Sequence, residues 1–420
     1  MDLALDLSLH DEPAPHRVDT SAHSTSAVDG LVSLQVALFH DLADVESVWR
    51  RLALAGMESP GQCVDFIAHW VKTQAIPARE QCYVVAELDG MPVALLALHV
   101  RRACGVRMAS WFPGSHAGCY APLVDHARLA ALTPAERRVF WTRMAAQVPG
   151  VDLFSLRTVP EIAGGHAGLF DELFYPVASD TLYRAQYRDW ATADACRSRS
   201  RRKHDRQQGD RLDALGVVSF ESLAGTPEAE PILDVMFAQR AARFRTMGVR
   251  DPFACPGIRE FYIGALRPGS GMRVVLHVLR LEGEIVAVRY NLAQGDRLFC
   301  LISSMSQEPS VQGGSPGKQC LLRVMQTVFD QGYVMFDMGA GFTDEKRHWC
   351  NVQIPLRHHF LAVTATGRLA LALHRRLQAL RARIKGDPNL HRLVKSWRAG
   401  VQRLLPGSGK INRPPESVSE

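Results

Sequence analysis

The 420-residue sequence predicts a mixed α/β chain built from two tandem halves of like design, followed by a basic helical tail. Three observations carry that expectation. The chain is too long for one core of about 100 to 200 residues, so two domains are the starting number. The run Leu88-Asp89-Gly90-Met91-Pro92-Val93-Ala94 is echoed by Leu281-Glu282-Gly283-Glu284-Ile285-Val286-Ala287. The run Gly150-Val151-Asp152-Leu153-Phe154, closing a helical stretch, is echoed by Gly332-Tyr333-Val334-Met335-Phe336.

Each echo has a physical meaning. An acidic-Gly pair between apolar runs is a hairpin turn. A glycine after a helix accepts the left-handed conformation that ends it, and the apolar run behind it reads as a buried strand. In the first half the pattern gives a strand at 32–39, helices at 44–55 and 63–74, strands at 81–88, 91–101 and 106–112, a helix at 134–147 and a strand at 151–157. In the second it gives a strand at 217–221, helices at 228–247 and 257–266, and strands at 273–281, 284–293 and 296–304. A helix at 316–331 and strands at 333–338 and 357–364 complete it. Hairpins followed by a helical crossover imply mixed sheets. The expected organisation is a disordered leader at 1–29, a first half at 30–192, a second at 193–367 and a tail at 368–420.

Composition narrows the class without naming a chemistry. With 47% hydrophobic and 22% charged residues, a packed interior is available and general disorder is not expected. The leader is acidic and lacks an apolar core, so it does not read as a secretory signal. The longest apolar stretch, Met91 to Val100, is far short of the roughly 20 residues needed to span a bilayer. Nine scattered cysteines without a CxxC pair fit reduced thiols and a cytoplasmic setting. No HExxH spacing suggests a metal, and no Gly-x-Ser-x-Gly elbow suggests a serine hydrolase.

The net charge of +6 is unevenly distributed. Residues 368–410 carry eleven Lys or Arg against Asp387 alone, which leaves a mildly acidic body. Two amphipathic helices broken at Gly386-Asp387-Pro388 are expected there, with Leu369, Leu373, Leu377, Leu380 and Ile384 at helical spacing. They fit docking on the body or, through 368–405, peripheral contact with an anionic membrane. A second basic run, Arg197, Arg199, Arg201, Arg202, Lys203, Arg206 and Arg211, reads as a solvated helix face or as a grip on phosphates. Without interleaved aromatics, nucleic acid is not expected unless it is tRNA.

The segment richest in chemistry runs from the apolar stretch Leu298 to Ser304 into Gln312-Gly313-Gly314-Ser315-Pro316-Gly317-Lys318 and then into a helix. A strand that feeds a helix start through glycines converges unpaired amides on an anion and lets a phosphate approach closely. A capped helix, with Ser315 at the N-cap and Pro316 in the first turn, accounts for the same residues. Gln319 follows Lys318, so this is not a Walker loop. Asp337, at a strand end before Gly339 and Gly341, is placed to face the mouth of a sheet or to cap the next turn.

Taken with its surroundings, this segment resembles the GNAT superfamily, whose Gln/Arg-x-x-Gly-x-Gly/Ala loop holds the CoA pyrophosphate. Gln312, Ser315 and Gly317 take the three motif positions, so the first motif glycine is replaced by serine. A closer resemblance is to the CelD/BcsL-type acetyltransferases, tandem GNAT-like proteins associated with cellulose and exopolysaccharide biosynthesis. It rests on the basic opening Arg197 to Arg211, Ser315-Pro316-Gly317, Phe336-Asp337-Met338-Gly339, Lys346 with Trp349, and Tyr120-Ala121-Pro122-Leu123-Val124-Asp125. The resemblance covers residues 30–365 and implies two tandem GNAT-like domains and an acyl-CoA-dependent N- or O-acyltransferase, using acetyl-CoA or another acyl-CoA. The acceptor would be a sugar, a polysaccharide precursor or an amine.

It also implies roles for particular residues. Ile302, Ser303 and Ser304 would offer backbone donors, and Gln312, Gly313, Gly314, Ser315, Gly317 and Lys318 would cradle the cofactor. Lys346 matches a lysine near the acyl centre of the related Fem-type transferases and would stabilise an oxyanion or bind an anionic acceptor, or else is a solvated lysine or a structural partner of Asp337. Glu308 is a candidate base or a loop carboxylate, and Tyr333 a candidate proton donor to the thiolate or a buried strand residue. The alternatives are an aminoacyl-tRNA-dependent transferase and a non-catalytic binding or membrane-adaptor protein on the same fold.

Overall fold

The computed structural model describes residues 31–113, 116–248 and 251–386; the expected leader, and the expected tail beyond Gly386, lie outside them. The first half consists of β1 (Gln35–Phe39), α1 (Leu42–Ala53), α2 (Val64–Thr73), β2 (Gln81–Leu88), β3 (Met91–Ala103), β4 (Val106–Ser110), β5 (Leu123–Val124), α3 (His126–Ala131), α4 (Pro134–Ala146), β6 (Leu153–Pro160), the short pair β7 (Ile162–Ala163) and β8 (His166–Ala167), and β9 (Tyr175–Ala185). Two helices, α5 (Trp190–Ala195) and α6 (Arg199–Asp213), open the second half. It continues with β10 (Val218–Ala224), α7 (Glu230–Met247), α8 (Pro256–Gly264), β11 (Arg273–Leu281), β12 (Glu284–Gln294), β13 (Arg297–Met305), α9 (Pro309–Gln312), α10 (Pro316–Asp330), β14 (Met335–Ala340), α11 (Asp344–Trp349), β15 (Val352–Ala362) and α12 (Ala365–Gly386).

The echoed sequences fold alike down to their irregularities. Both hairpin turns place consecutive residues at positive φ, Asp89 and Gly90 in one and Glu282 and Gly283 in the other, as a two-residue turn requires. Both hairpins also slip register at the same repeat position. Ala86 faces Ala94 while Glu87 faces Pro92, and Leu279 faces Ala287 while Arg280 faces Ile285. Val93 and Val286 are thus equivalent bulge residues. Gly150 and Gly332 adopt the left-handed conformation expected after α4 and α10.

The halves share one sheet, in the order β1-β2-β3-β4-β6-β15-β9-β14-β13-β12-β11-β10, with β5 beside β3. Read from either edge inward, each half supplies a four-stranded antiparallel ribbon and then one parallel strand. The centre is an exchange: β9 of the first half pairs with β14 of the second, and β15 of the second pairs with β6 of the first. β9 and β15 pair with each other to close the join. Strand β9 had no place in the expected pattern, because Tyr175-Pro176-Val177-Ala178-Ser179-Asp180 lacks an apolar alternation. The closing strand, expected at 357–364, already begins at Val352. The boundary expected at 192–193 falls inside α5.

Aromatic packing makes a second weld. Phe66 and Trp70 of α2 each place their rings 5.0 Å from Phe261 of α8, edge to face, inside a core cluster drawn from both halves. A third join is ionic. Arg184 of β9 is 4% exposed and bridges Asp337 of β14, 2.9 Å away, and Glu58 ahead of α2, 2.8 Å away. Burial opposes ionisation of Glu58, but Arg184 and the Gly164 amide outweigh it and hold the carboxyl below its ordinary value.

Candidate active site

The parallel pairing of β13 with β14 lasts three residues, Arg297 to Phe299 against Met335 to Asp337. Beyond it the strands part. β13 bulges, since Asn291 faces Cys300 but Tyr290 faces Ile302, and β14 bends toward β9 so that Ala340 faces Leu182. The edge of β13 beyond Phe299 therefore lines a wedge instead of a ladder. A cavity of about 680 Å³ fills the wedge on the α7, α10 and α11 side, and one of about 630 Å³ lies on the side of β4 and β6. Cys300, Leu301 and Met338 line both, so the two cavities meet at the wedge.

The first cavity contains much of the expected cofactor loop. Ser303, Ser304, Gln312, Ser315, Gly317 and Lys318 line it; Ile302, Gly313 and Gly314 do not. Ile302 is buried opposite Tyr290, and Gly314 lies against Leu212, where a Cβ would come within 2.8 Å. Ser315 precedes α10 as expected, but it caps nothing with its side chain. Its φ of +48° is the left-handed value glycine favours, so the serine holds a backbone shape usually left to glycine. At Gly317 a Cβ would meet Met305 Sδ at 2.8 Å, so the residue is held small by close packing. Arg240, Arg243 and Arg289 add positive charge to Lys318 and Lys346. Glu345, the cavity's carboxylate, already faces Arg201 and Lys318.

Three residues carried the expected catalytic roles, and the structure separates them. Lys346 lines the wedge, with Nζ donating to the carbonyls of Gly339 at 3.1 Å and Ala340 at 2.6 Å. An ammonium has three donors, so one is left without a hydrogen-bond acceptor among the described residues, and Nζ also lies 5.8 Å over the Tyr183 ring. Burial lowers its pKa from the ordinary lysine value, and the charge of Asp337 opposes that shift. Asp337 does not line the wedge: it is 4% exposed, one oxygen takes Arg184 and the other the Gly339 amide, 2.7 Å away. That arrangement leaves it a support of the β14 end and not a free base. Glu308 is exposed at the start of α9 and outside the cavity lining. Tyr333 lies before β14 at the closed end of the strand pair, with its ring against Arg273, so it cannot serve a leaving thiolate in the wedge.

The basic opening of the second half divides into two populations. Arg197, Arg201 and Arg202 are spent on Asp194, Asp205 and Glu345, and Arg197 also lies 4.6 Å over the Trp349 ring. Arg199, Lys203, Arg206 and Arg211 are exposed. Sequence reasoning missed the lining of the second cavity: Arg101, Trp111, His116, Arg157, Thr158 and His358. They come from β3, β6, β15 and the loop after β4, so no local motif joins them.

Residues 199–347 match the family model described as Acetyltransferase (GNAT) domain, and this span contains the wedge strands, the loop before α10 and Lys346. No curated protein matches the sequence. Among solved structures, the chain is similar to FemX at 9% identity and a TM-score of 0.48, covering 70% of this chain and 91% of that one. It is similar to L-PGS from Bacillus licheniformis at 11% identity and a TM-score of 0.44, covering 74% and 95%. A tandem GNAT protein from the clavulanic acid biosynthesis pathway, at 13% identity and a TM-score of 0.43, covers 78% of this chain and 98% of that one.

Proposed function

We propose that the chain is an acyl-CoA-dependent N- or O-acyltransferase that holds its donor in the wedge between β13 and β14. One observation carries the reading: an open wedge whose rim combines an α10 start free of side-chain capping with a ring of cations. A polyanion such as CoA fits that rim, because the helix start and Lys318, Arg240 and Arg243 all favour its phosphates. The unpaired edge of β13 suits an extended amide-bearing chain, which it can bind as a strand binds a strand. The acyl carbonyl then lies near Leu301 and Met338, within the neighbourhood of the spare Lys346 donor, which stabilises charge developing on the carbonyl oxygen.

The acceptor enters from the second cavity, and its N or O forms the new bond to the acyl carbon as the C–S bond breaks and the thiolate leaves. The cavity lining holds no carboxylate among the described residues, and burial brings His116 down to about 4, so the acceptor's proton passes to water. The acceptor class, a sugar, a polysaccharide precursor or an amine, and the polysaccharide setting are both drawn from the CelD/BcsL resemblance. Calorimetric titration with acetyl-CoA and CoA tests the donor site: micromolar binding to the wild type, lost in Gly317→Asp, is expected. Absence of binding to the wild type would sink the reading.

The four exposed cations of the α6 segment favour a second reading, in which an aminoacyl-tRNA supplies the acyl group. It requires salt-sensitive tRNA binding that weakens when Arg199, Lys203, Arg206 and Arg211 are changed to Ser. Among the described residues no helix is long and apolar enough to cross a membrane. Helix α12 exposes Leu369, Leu373, Leu377 and Leu380, which supports peripheral contact with anionic lipid. Co-sedimentation with vesicles of anionic and of neutral lipid tests that contact.

A further inference from the structure

Strand β6 breaks its ladder where it borders the second cavity. Arg357 faces Val159 and His359 faces Leu156, so Arg157 and Thr158 together stand opposite His358. This bulge puts Thr158 at φ +57°, a left-handed conformation that strains a β-branched residue. Four hydrogen bonds hold it there. The Thr158 amide donates to His358 Nδ1 at 3.1 Å, and the Thr158 carbonyl accepts from the Tyr120 amide at 3.1 Å. The Arg157 carbonyl accepts from Trp111 Nε1 at 3.0 Å and from the Thr158 hydroxyl at 2.7 Å.

The bulge re-aims a side chain, which is what such irregularities do beside functional sites. Arg157 lines the cavity, together with Arg101 from the far end of β3. Neither guanidinium has an ion pair or side-chain hydrogen bond among the described residues, and no Asp or Glu lines the cavity. His358 accepts the Thr158 amide at Nδ1, which leaves its Nε2 to carry the proton and donate. The lining is therefore rich in donors and cations, with the Trp111 ring, fixed through its own indole N–H, as an apolar wall. Two uncompensated arginines beside a flat aromatic repel an ammonium and suit a ring bearing negative charge.

We propose that the acceptor is an anionic saccharide, carrying a phosphate or a carboxylate, held by Arg101 and Arg157 against Trp111. Its role as acceptor rests on the acyl-transfer reading above; the binding site does not. The test is calorimetric titration of the full chain, saturated with CoA, with glucosamine 6-phosphate, glucuronate, glucosamine and glucose. The two anionic sugars bind at least tenfold more tightly than the two others, and the stronger of the pair identifies phosphate or carboxylate. In Arg101→Ser/Arg157→Ser the preference disappears with CoA affinity unchanged, and Arg101→Lys/Arg157→Lys recovers part of it. Equal binding of neutral and anionic sugars, binding of none, or an unchanged preference in the serine variant overturns the proposal. If CoA does not bind, the same titrations without it still decide the anion site, and the donor reading alone falls.

Discussion

Both halves contain a short parallel strand pair that opens into a wedge, and the two wedges differ at the helix beside each. In the first half, β4 and β6 pair only at Met108 and Ala109 against Leu153 and Phe154, and α4 starts Thr133-Pro134-Ala135-Glu136. Thr133 caps the Glu136 amide while the Glu136 side chain caps Thr133, so the helix start is satisfied from within and carries a negative charge. In the second half, α10 starts Ser315-Pro316-Gly317-Lys318, with no side-chain cap and a lysine where α4 has its glutamate. The first start would repel an anion and the second would receive one. The two halves thus differ at the helix start itself, and only that of the second half has the charge that the proposed donor site needs.

The largest expected effect tests whether the halves are one body. Arg184→Ala leaves Glu58 and Asp337 buried without their cation and should cost about 3–5 kcal/mol. Urea denaturation of the variant should remain a single transition, shifted for both halves together. Two separated transitions would break the picture of a shared sheet.

Next in size is the donor wedge. Gly317→Asp puts a Cβ against Met305 and a carboxylate at the α10 start. It should weaken CoA about 100-fold, which is roughly 2.7 kcal/mol. A loss below about threefold would mean that the phosphates bind elsewhere.

Acid should strain the halves through buried histidines. Burial brings His359 of β15 down to about 4 and, with Arg289, His277 of β11 down to about 3. Both folded values lie below the ordinary 6.5, so the unfolded chain binds more protons as pH falls. Their contribution is intact above about pH 6.5 and is lost as pH drops toward those folded values. Each should cost roughly 2 kcal/mol between pH 6.5 and 5. Stability curves of His359→Gln and His277→Gln should be flatter there than the wild type, and equal slopes would remove this account.

The smallest effect is the control. Thr133→Ala removes the α4 cap and should lower stability by about 1 kcal/mol, seen in thermal melts, without changing CoA affinity. A change in CoA binding would mean that the first wedge takes part in holding the donor.

Much of this was written locally. The turns at Asp89-Gly90 and Glu282-Gly283 and the helix-ending Gly150 and Gly332 depend on neighbours in sequence, and the structure has them as expected. The loop before α10 was legible because Gln312, Ser315, Gly317 and Lys318 lie within seven positions. Asp337 stayed open between the sheet mouth and a cap, because a carboxylate near glycines looks alike whether it faces a cleft or a buried guanidinium. Arg184, which decides the matter, is 153 positions away.

By itself, the sequence determined the repeated hairpins, the helix ends and the glycine-rich loop before α10, since turn chemistry and periodicity act over a few residues. Only the tertiary structure decided that β9 and β15 change places and that Arg184 joins both halves. It alone brought Arg101, Trp111, Arg157 and His358 around one cavity. The reason is physical: strand pairing and burial of charge reward contacts between segments far apart in the chain, and neither leaves a mark on any one of them.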